Sequence, residues 1–134
     1  MKNLNQNIVP FLTFCGNAEE AMNFYISVFP DSKVTSLIYF TGEPHGEIGK
    51  VLTGIFTLKG QEFMVMDIEK QYCPGFNWGV SLFTNCVDKD EFDILFTKLS
   101  NGGKVIMGPE PVMNLRLVSW VTDKFGVTWQ LIWE

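Results

Sequence analysis

The side chains with reactive chemistry in this chain are few: one histidine, three cysteines and fifteen carboxylates among 134 residues. Nucleophilic catalysis of the Ser-His-Asp kind needs an imidazole beside the nucleophile. The single histidine, His45, sits in TGEPHGE, a segment that reads as a loop. With no Cys/His cluster behind it, a lone loop histidine reads as solvated rather than as a ligand. Cys15, Cys73 and Cys86 are odd in number and lack metal-type spacing, so they are expected to be reduced thiols. Cys15 and Cys86 are assigned to packing, and Cys73, in QYCPGFNW, has no evident base beside it. Glu62 and Asp67 flank one strand-like segment and are the carboxylates from which a base for proton abstraction would come. Glu91 and Asp93 open a helix, where negative charge complements the dipole, and Asp123 with Gly126 reads as turn chemistry. No phosphate-cradling glycine loop is present.

The elements that position these residues occur twice. NAEEAMNFYISVF, 17–29, opens with Asn17 and Glu20 at capping-box spacing and carries Ala21, Phe24, Tyr25 and Val28 on one helical face. DKDEFDILFTKL, 88–99, repeats the pattern with Asp88, Glu91, Phe92, Leu95, Phe96 and Leu99, at an offset of 71 residues from Asn17 to Asp88. IVPFLTFC and GVSLFTNC precede the two helices as strands, and the same offset carries Cys15 onto Cys86. Three further strands follow each helix: KVTSLIYF, KVLTGIFTL and EFMVMDI, then GKVIM, LRLVSWVTD and VTWQLIW. Gly60 and Gly126 mark the last hairpin of each half. The expected fold class is α+β: two tandem β-α-β-β-β modules forming a curved mixed sheet, helices outside. Module one covers about 1–70, a linker about 71–77 and module two about 78–134, within one domain, 1–134.

Bulk properties narrow the partners. A formal charge of −5 argues against nucleic acid, which needs a basic face. No stretch of about 18 apolar residues is present to span a membrane. MKNLNQNIVPFLTF lacks the apolar core of a signal peptide, so a cytoplasmic location is expected.

Three blocks in order, PFLTFCGNAEEAMNFYISVFPDSKV, VSLFTNCVDKDEFDILFTKLSNGG and DKFGVTWQLIWE, resemble the vicinal-oxygen-chelate (glyoxalase/bleomycin-resistance/dioxygenase) superfamily. The closer resemblance is to its PhnB-like branch, which often carries a demethylubiquinone methyltransferase label. The resemblance covers nearly the whole chain and implies the fold and a homodimer; fold alone does not carry activity. A methyltransferase is not expected, because no Gly-rich turn follows a strand and alternating β-α units are absent.

Metal-dependent members of the superfamily place one ligand seven residues before each helix start and one four residues after each hairpin glycine. Those positions here are Pro10, Met64, Ser81 and Gln130, a set that suits no hard or borderline divalent ion. No cofactor and no metal are therefore expected. Strand alternation places Met64 with Glu62 and Met66, Ser81 with Phe83 and Asn85, Gln130 with Thr128 and Ile132, and Pro10 with Leu12 and Phe14. These residues are the candidate lining of a mostly apolar cleft between the modules, with Ser81, Gln130, Asn85 and Thr128 as its polar points. The expected function is metal-independent binding of a small organic molecule. The alternatives are a lyase or isomerase using Glu62 or Asp67 as base, and a dimeric interaction module anchored by Trp78 or Trp120.

Overall fold

The computed structural model describes residues 4–42 and 46–134, and the chain divides into two compact units, 1–75 and 76–134. The first holds β1 (Phe11–Phe14), α1 (Ala18–Val28), β2 (Ser32–Tyr39), β3 (Val51–Leu58) and β4 (Gln61–Asp67), followed by a single 3-10 turn at Lys70–Tyr72. The second holds β5 (Ser81–Cys86), α2 (Lys89–Ser100), β6 (Lys104–Val112), β7 (Leu115–Thr122) and β8 (Thr128–Trp133). Each unit is one β-α-β-β-β module with a four-stranded sheet, ordered β1-β4-β3-β2 and β5-β8-β7-β6. The strand before each helix runs parallel to the last strand of its module, and the other neighbours are antiparallel. The α+β class with two mixed sheets follows directly from this order.

In the first unit, α1 buries Ala18, Ala21, Met22, Tyr25 and Val28. Its aromatic contact continues into the sheet, where Tyr25 stacks on Phe56 at 6.3 Å and Phe56 on Phe63 at 5.3 Å. Gly54 lets helix and sheet close on each other: a Cβ there would lie 2.7 Å from Val65 Cγ2 and 3.4 Å from Met22 Sδ. β3 and β4 are joined by Lys59 and Gly60 alone, both at positive φ (50° and 84°). That is the backbone a two-residue hairpin needs to match strand twist.

In the second unit, Phe92, Leu95 and Leu99 of α2 are buried, and the helix packs on β7 and β8. The hairpin between these strands is longer, and Asp123 organises it. Its Oδ1 accepts the N–H groups of Phe125 and Val127, and its Oδ2 accepts the Trp129 indole N–H at 2.9 Å. β6 extends beyond GKVIM to Val112, through Gly108, Pro109 and Pro111. It is one of the two edge strands of its sheet, and its pairing with β7 is interrupted by register shifts. An edge strand tolerates prolines that a central strand would not.

The two helix starts differ. Asp88 caps α2, accepting the Glu91 N–H at 2.8 Å, and Glu91 reaches back to the Val87 N–H at 2.9 Å. Asn17 makes no side-chain cap bond. Asp67, at the end of β4, does that work instead: its Oδ1 accepts the Gly16 and Ala18 N–H groups and its Oδ2 the Val51 N–H. The capping box expected at Asn17 and Glu20 is thus replaced by a carboxylate 50 residues further along the chain, from Asn17 to Asp67.

The repeat also slips by one residue. β1 ends with Phe14 opposite Asp67 and β5 ends with Cys86 opposite Trp133, so Phe14, not Cys15, is the counterpart of Cys86. Module one has an additional residue between strand and helix, and Gly16 there turns at φ 112°. Cys15 consequently leaves the sheet and is exposed, whereas Cys86 is buried. The assignment of both as equivalent packing residues is corrected on this point.

These caps predict an ordering of stabilities by urea denaturation. Asp67→Ala strands three backbone donors, two of them in buried bonds, and is expected to cost about 3 kcal/mol or more. Asp88→Ala should cost about 1 kcal/mol, and Asn17→Ala less than about 0.5 kcal/mol.

Candidate functional site

On the second sheet, side chains alternate between the α2 face and the opposite face. Leu82, Thr84 and Cys86 pair with Trp129, Leu131 and Trp133, and Val121 pairs with Trp129, giving the α2 face. The opposite face is built of rows running across the strands. In one row Phe83 of β5, Gln130 of β8, Trp120 of β7 and Met107 of β6 are consecutive partners. Neighbouring strands lie about 4.8 Å apart, so an amide stands between two aromatic side chains. In the next row Ser81, Thr128 and Thr122 are partners. Gln130 Nε2 donates to Ser81 Oγ at 2.8 Å, and the hydroxyls of Thr122 and Thr128 lie 2.8 Å apart. Trp78 meets Trp120 edge-on with ring centroids 5.7 Å apart. Phe83 and Trp78 are each 60% exposed, whereas Gln130 and Ser81 are half-buried. Asn85 lies opposite Ile132 on the same face and is exposed. All five second-module candidates, Ser81, Phe83, Asn85, Thr128 and Gln130, therefore share one face of this sheet.

The first sheet agrees only in part. Phe11, Met64, Ile55 and Ser36 form a row on the face away from α1, and Thr13 lies opposite Met66. Leu12 and Phe14 pair with Val65 and Asp67, on the α1 side, and both are buried. Phe14 therefore does not share a face with Met64; Phe11 and Thr13 occupy that place. The cause is the additional residue before α1, which breaks the offset used to align β1 with β5. Pro10 precedes the strand, and its carbonyl accepts the Met64 N–H at 2.9 Å.

The carboxylates put forward as bases are both engaged by backbone. Glu62 is 4% exposed, and its Oε1 accepts the N–H groups of Asn5 and Gln6. The Gln6 side chain closes this contact by accepting the Glu62 N–H and donating to the Gly60 carbonyl. Asp67, 3% exposed, caps α1 and β3 as described. His45 lies outside the described residues.

A covalent feature was not anticipated. Cys15 and Cys73 form a disulfide, with Cα atoms 5.6 Å apart and a sequence separation of 58. The expectation of three reduced thiols is corrected accordingly; Cys86 is buried and takes no part in the disulfide. Spacing alone could not pair them, because their approach depends on where β4 delivers the chain after Asp67.

Comparison with known proteins then places the chain. The family model described as 3-demethylubiquinone-9 3-methyltransferase matches residues 6–132. The chain belongs to that family. Among solved structures, the PhnB protein of Bacillus cereus is 37% identical with a TM-score of 0.86, covering 96% of this chain and 100% of its own. Protein PA1353 of Pseudomonas aeruginosa is 27% identical with a TM-score of 0.84, covering 97% and 98%. A glyoxalase/bleomycin resistance protein from Albidiferax ferrireducens T118, 11% identical with a TM-score of 0.62 over 96% and 99%, shares the fold. Curated proteins give no match. It is PhnB-like, and it shares the fold of glyoxalase/bleomycin resistance proteins, as the sequence blocks implied.

The shared fold raises the question of a divalent metal, which the residues present do not fit. The positions where the superfamily places ligands carry Pro10, Met64, Ser81 and Gln130, and the last two are already hydrogen-bonded to each other. The register corrects Pro10 to Val9 as the partner of Ser81 in the repeat, and Val9 is no donor either. Among the described residues no group of three or more His, Cys, Asp or Glu is placed to hold an ion. Elemental analysis of the purified PhnB-like protein after dialysis should find well below one divalent ion per chain. Added Mn²⁺, Ni²⁺ or Zn²⁺ should leave its melting temperature unchanged; a stoichiometric, chelator-resistant ion would refute this reading.

Proposed function

We propose that this PhnB-like protein binds a small, uncharged organic molecule without a metal, on the face of the second sheet opposite α2. The observation that carries the reading is the row Phe83–Gln130–Trp120 with Ser81 hydrogen-bonded to Gln130. Aromatic rings on either side of an amide supply large apolar contact with few rotatable bonds. The Ser81–Gln130 pair offers directional hydrogen bonding without a formal charge to desolvate. On this reading the whole chain, 1–134, works as one functional domain in the cytoplasm.

Two other activities find less support. A base drawn from Glu62 or Asp67 would have to give up backbone hydrogen bonds that hold the N-terminal segment or the start of α1. Methyl transfer has only the family's descriptive name behind it. Neither sheet is the parallel, doubly wound type on which nucleotide cofactors usually sit. A second reading, an interaction module pairing two copies, rests on a different observation. Val80, Phe83 and Val87, on and beside the edge strand β5, are 76%, 60% and 80% exposed.

A thermal-shift screen with uncharged aromatic amides and ketones separates these readings. Binding is expected to raise the melting temperature, and Gln130→Leu should weaken a hit about three- to ten-fold, the worth of one hydrogen bond. Trp120→Ala should weaken it further. If no compound binds and sedimentation shows a tight dimer that Phe83→Glu disrupts, the interaction module replaces the binding protein.

A further inference from the structure

We propose that the Cys15–Cys73 disulfide is a thiol–disulfide exchange site, through which a low-molecular-weight thiol locks or frees the segment joining the two modules. Cys15 is exposed, because the additional residue before α1 takes it off the sheet, and Cys73 is half-buried. Cys86 is buried and is not part of the bond. Lys50 Nζ donates to the Gly16 carbonyl at 2.9 Å, one residue beyond Cys15. A positive charge at that place favours the approach of a thiolate to the exposed sulfur.

After β4 the Ile68 N–H still bonds to the Phe14 carbonyl, at 2.9 Å. From there the chain forms the 3-10 turn Lys70–Tyr72, whose residues are not buried. The turn's hydrogen bonds, Tyr72 N–H to Glu69 and Cys73 N–H to Lys70, are local. The disulfide ties this exposed turn back to the end of β1. A segment with little buried apolar surface and local hydrogen bonds opens readily once such a tie is cut.

The exchange balances without a further oxidant. A thiolate RS⁻ attacks Cys15 Sγ, the Sγ–Sγ bond breaks, and its electron pair leaves on Cys73 Sγ, which takes a proton from solvent. A second RS⁻ attacks the RS sulfur of the mixed disulfide, releasing RSSR and the Cys15 thiolate, which is protonated in turn. One protein disulfide is reduced by two electrons and two RSH are oxidised to RSSR. In a compartment poised by such thiols, an exposed disulfide is exchangeable and not a permanent staple.

The full-length protein is incubated in oxidised or reduced glutathione buffer and then treated with trypsin, with peptide mass mapping. The oxidised sample should yield a Cys15–Cys73 linked peptide and slow cleavage after Lys70. Reduction should abolish the linked peptide and speed that cleavage at least about ten-fold. Cys15→Ser and Cys73→Ser should each be cleaved fast in both buffers, and Cys86→Ser should respond like the parent chain. Circular dichroism of each sample establishes that the fold persists. No linked peptide under oxidising conditions, or cleavage after Lys70 that ignores the buffer, overturns the proposal. So does a glutathione adduct that forms only on Cys86.

Discussion

The carboxylate of Asp67 is the contact on which the first module depends. It ends β4, yet its two oxygens receive backbone N–H groups from the β1–α1 connection, the first turn of α1 and the first residue of β3. Three stretches of chain are held to one buried acidic group. The arrangement explains why Asn17, a suitable cap by residue type, is left with no capping bond to make. It also explains how β1 can be as short as four residues and still direct the helix. The second module solves the same problem locally, with Asp88 capping α2 and Asp123 shaping the β7–β8 hairpin. The duplicated architecture therefore rests on two different sets of polar contacts.

Much of the fold was legible because periodicity and turn chemistry reported it. The two helices, eight strands and positive-φ glycines at 60 and 126 lie where alternation, helical spacing and the hairpin signals put them. The errors share one cause. A single inserted residue before α1 is invisible when helix starts are used to align the halves, and every position counted back from Asn17 then slips. Phe14 was given the wrong face and Cys15 the wrong counterpart for this reason. Where no insertion intervenes, as from Ser81 to Asn85 and Thr128 to Ile132, the alternation held residue by residue. The expected strand GKVIM stops five residues short of Val112; β6 continues through Gly108, Pro109 and Pro111, which an edge strand tolerates. The disulfide was beyond reach, since it depends on tertiary placement of two loops.

Shared fold and metal chemistry part company at the expected ligand positions. Each module's parallel strand pair is in place, while the corrected positions, Val9, Met64, Ser81 and Gln130, carry an alkyl group, a thioether, a hydroxyl and an amide. What replaces coordination is a hydrogen bond between two of them.

That replacement sets the character of the second-sheet face. Ser81, Phe83, Trp120, Thr122, Thr128 and Gln130 include no group that changes charge between mildly acidic and mildly alkaline solution. On the proposed reading, recognition there rests on apolar area and neutral dipoles, which added electrolyte screens hardly at all. The acidic chain as a whole responds to ionic strength; this patch of it is indifferent.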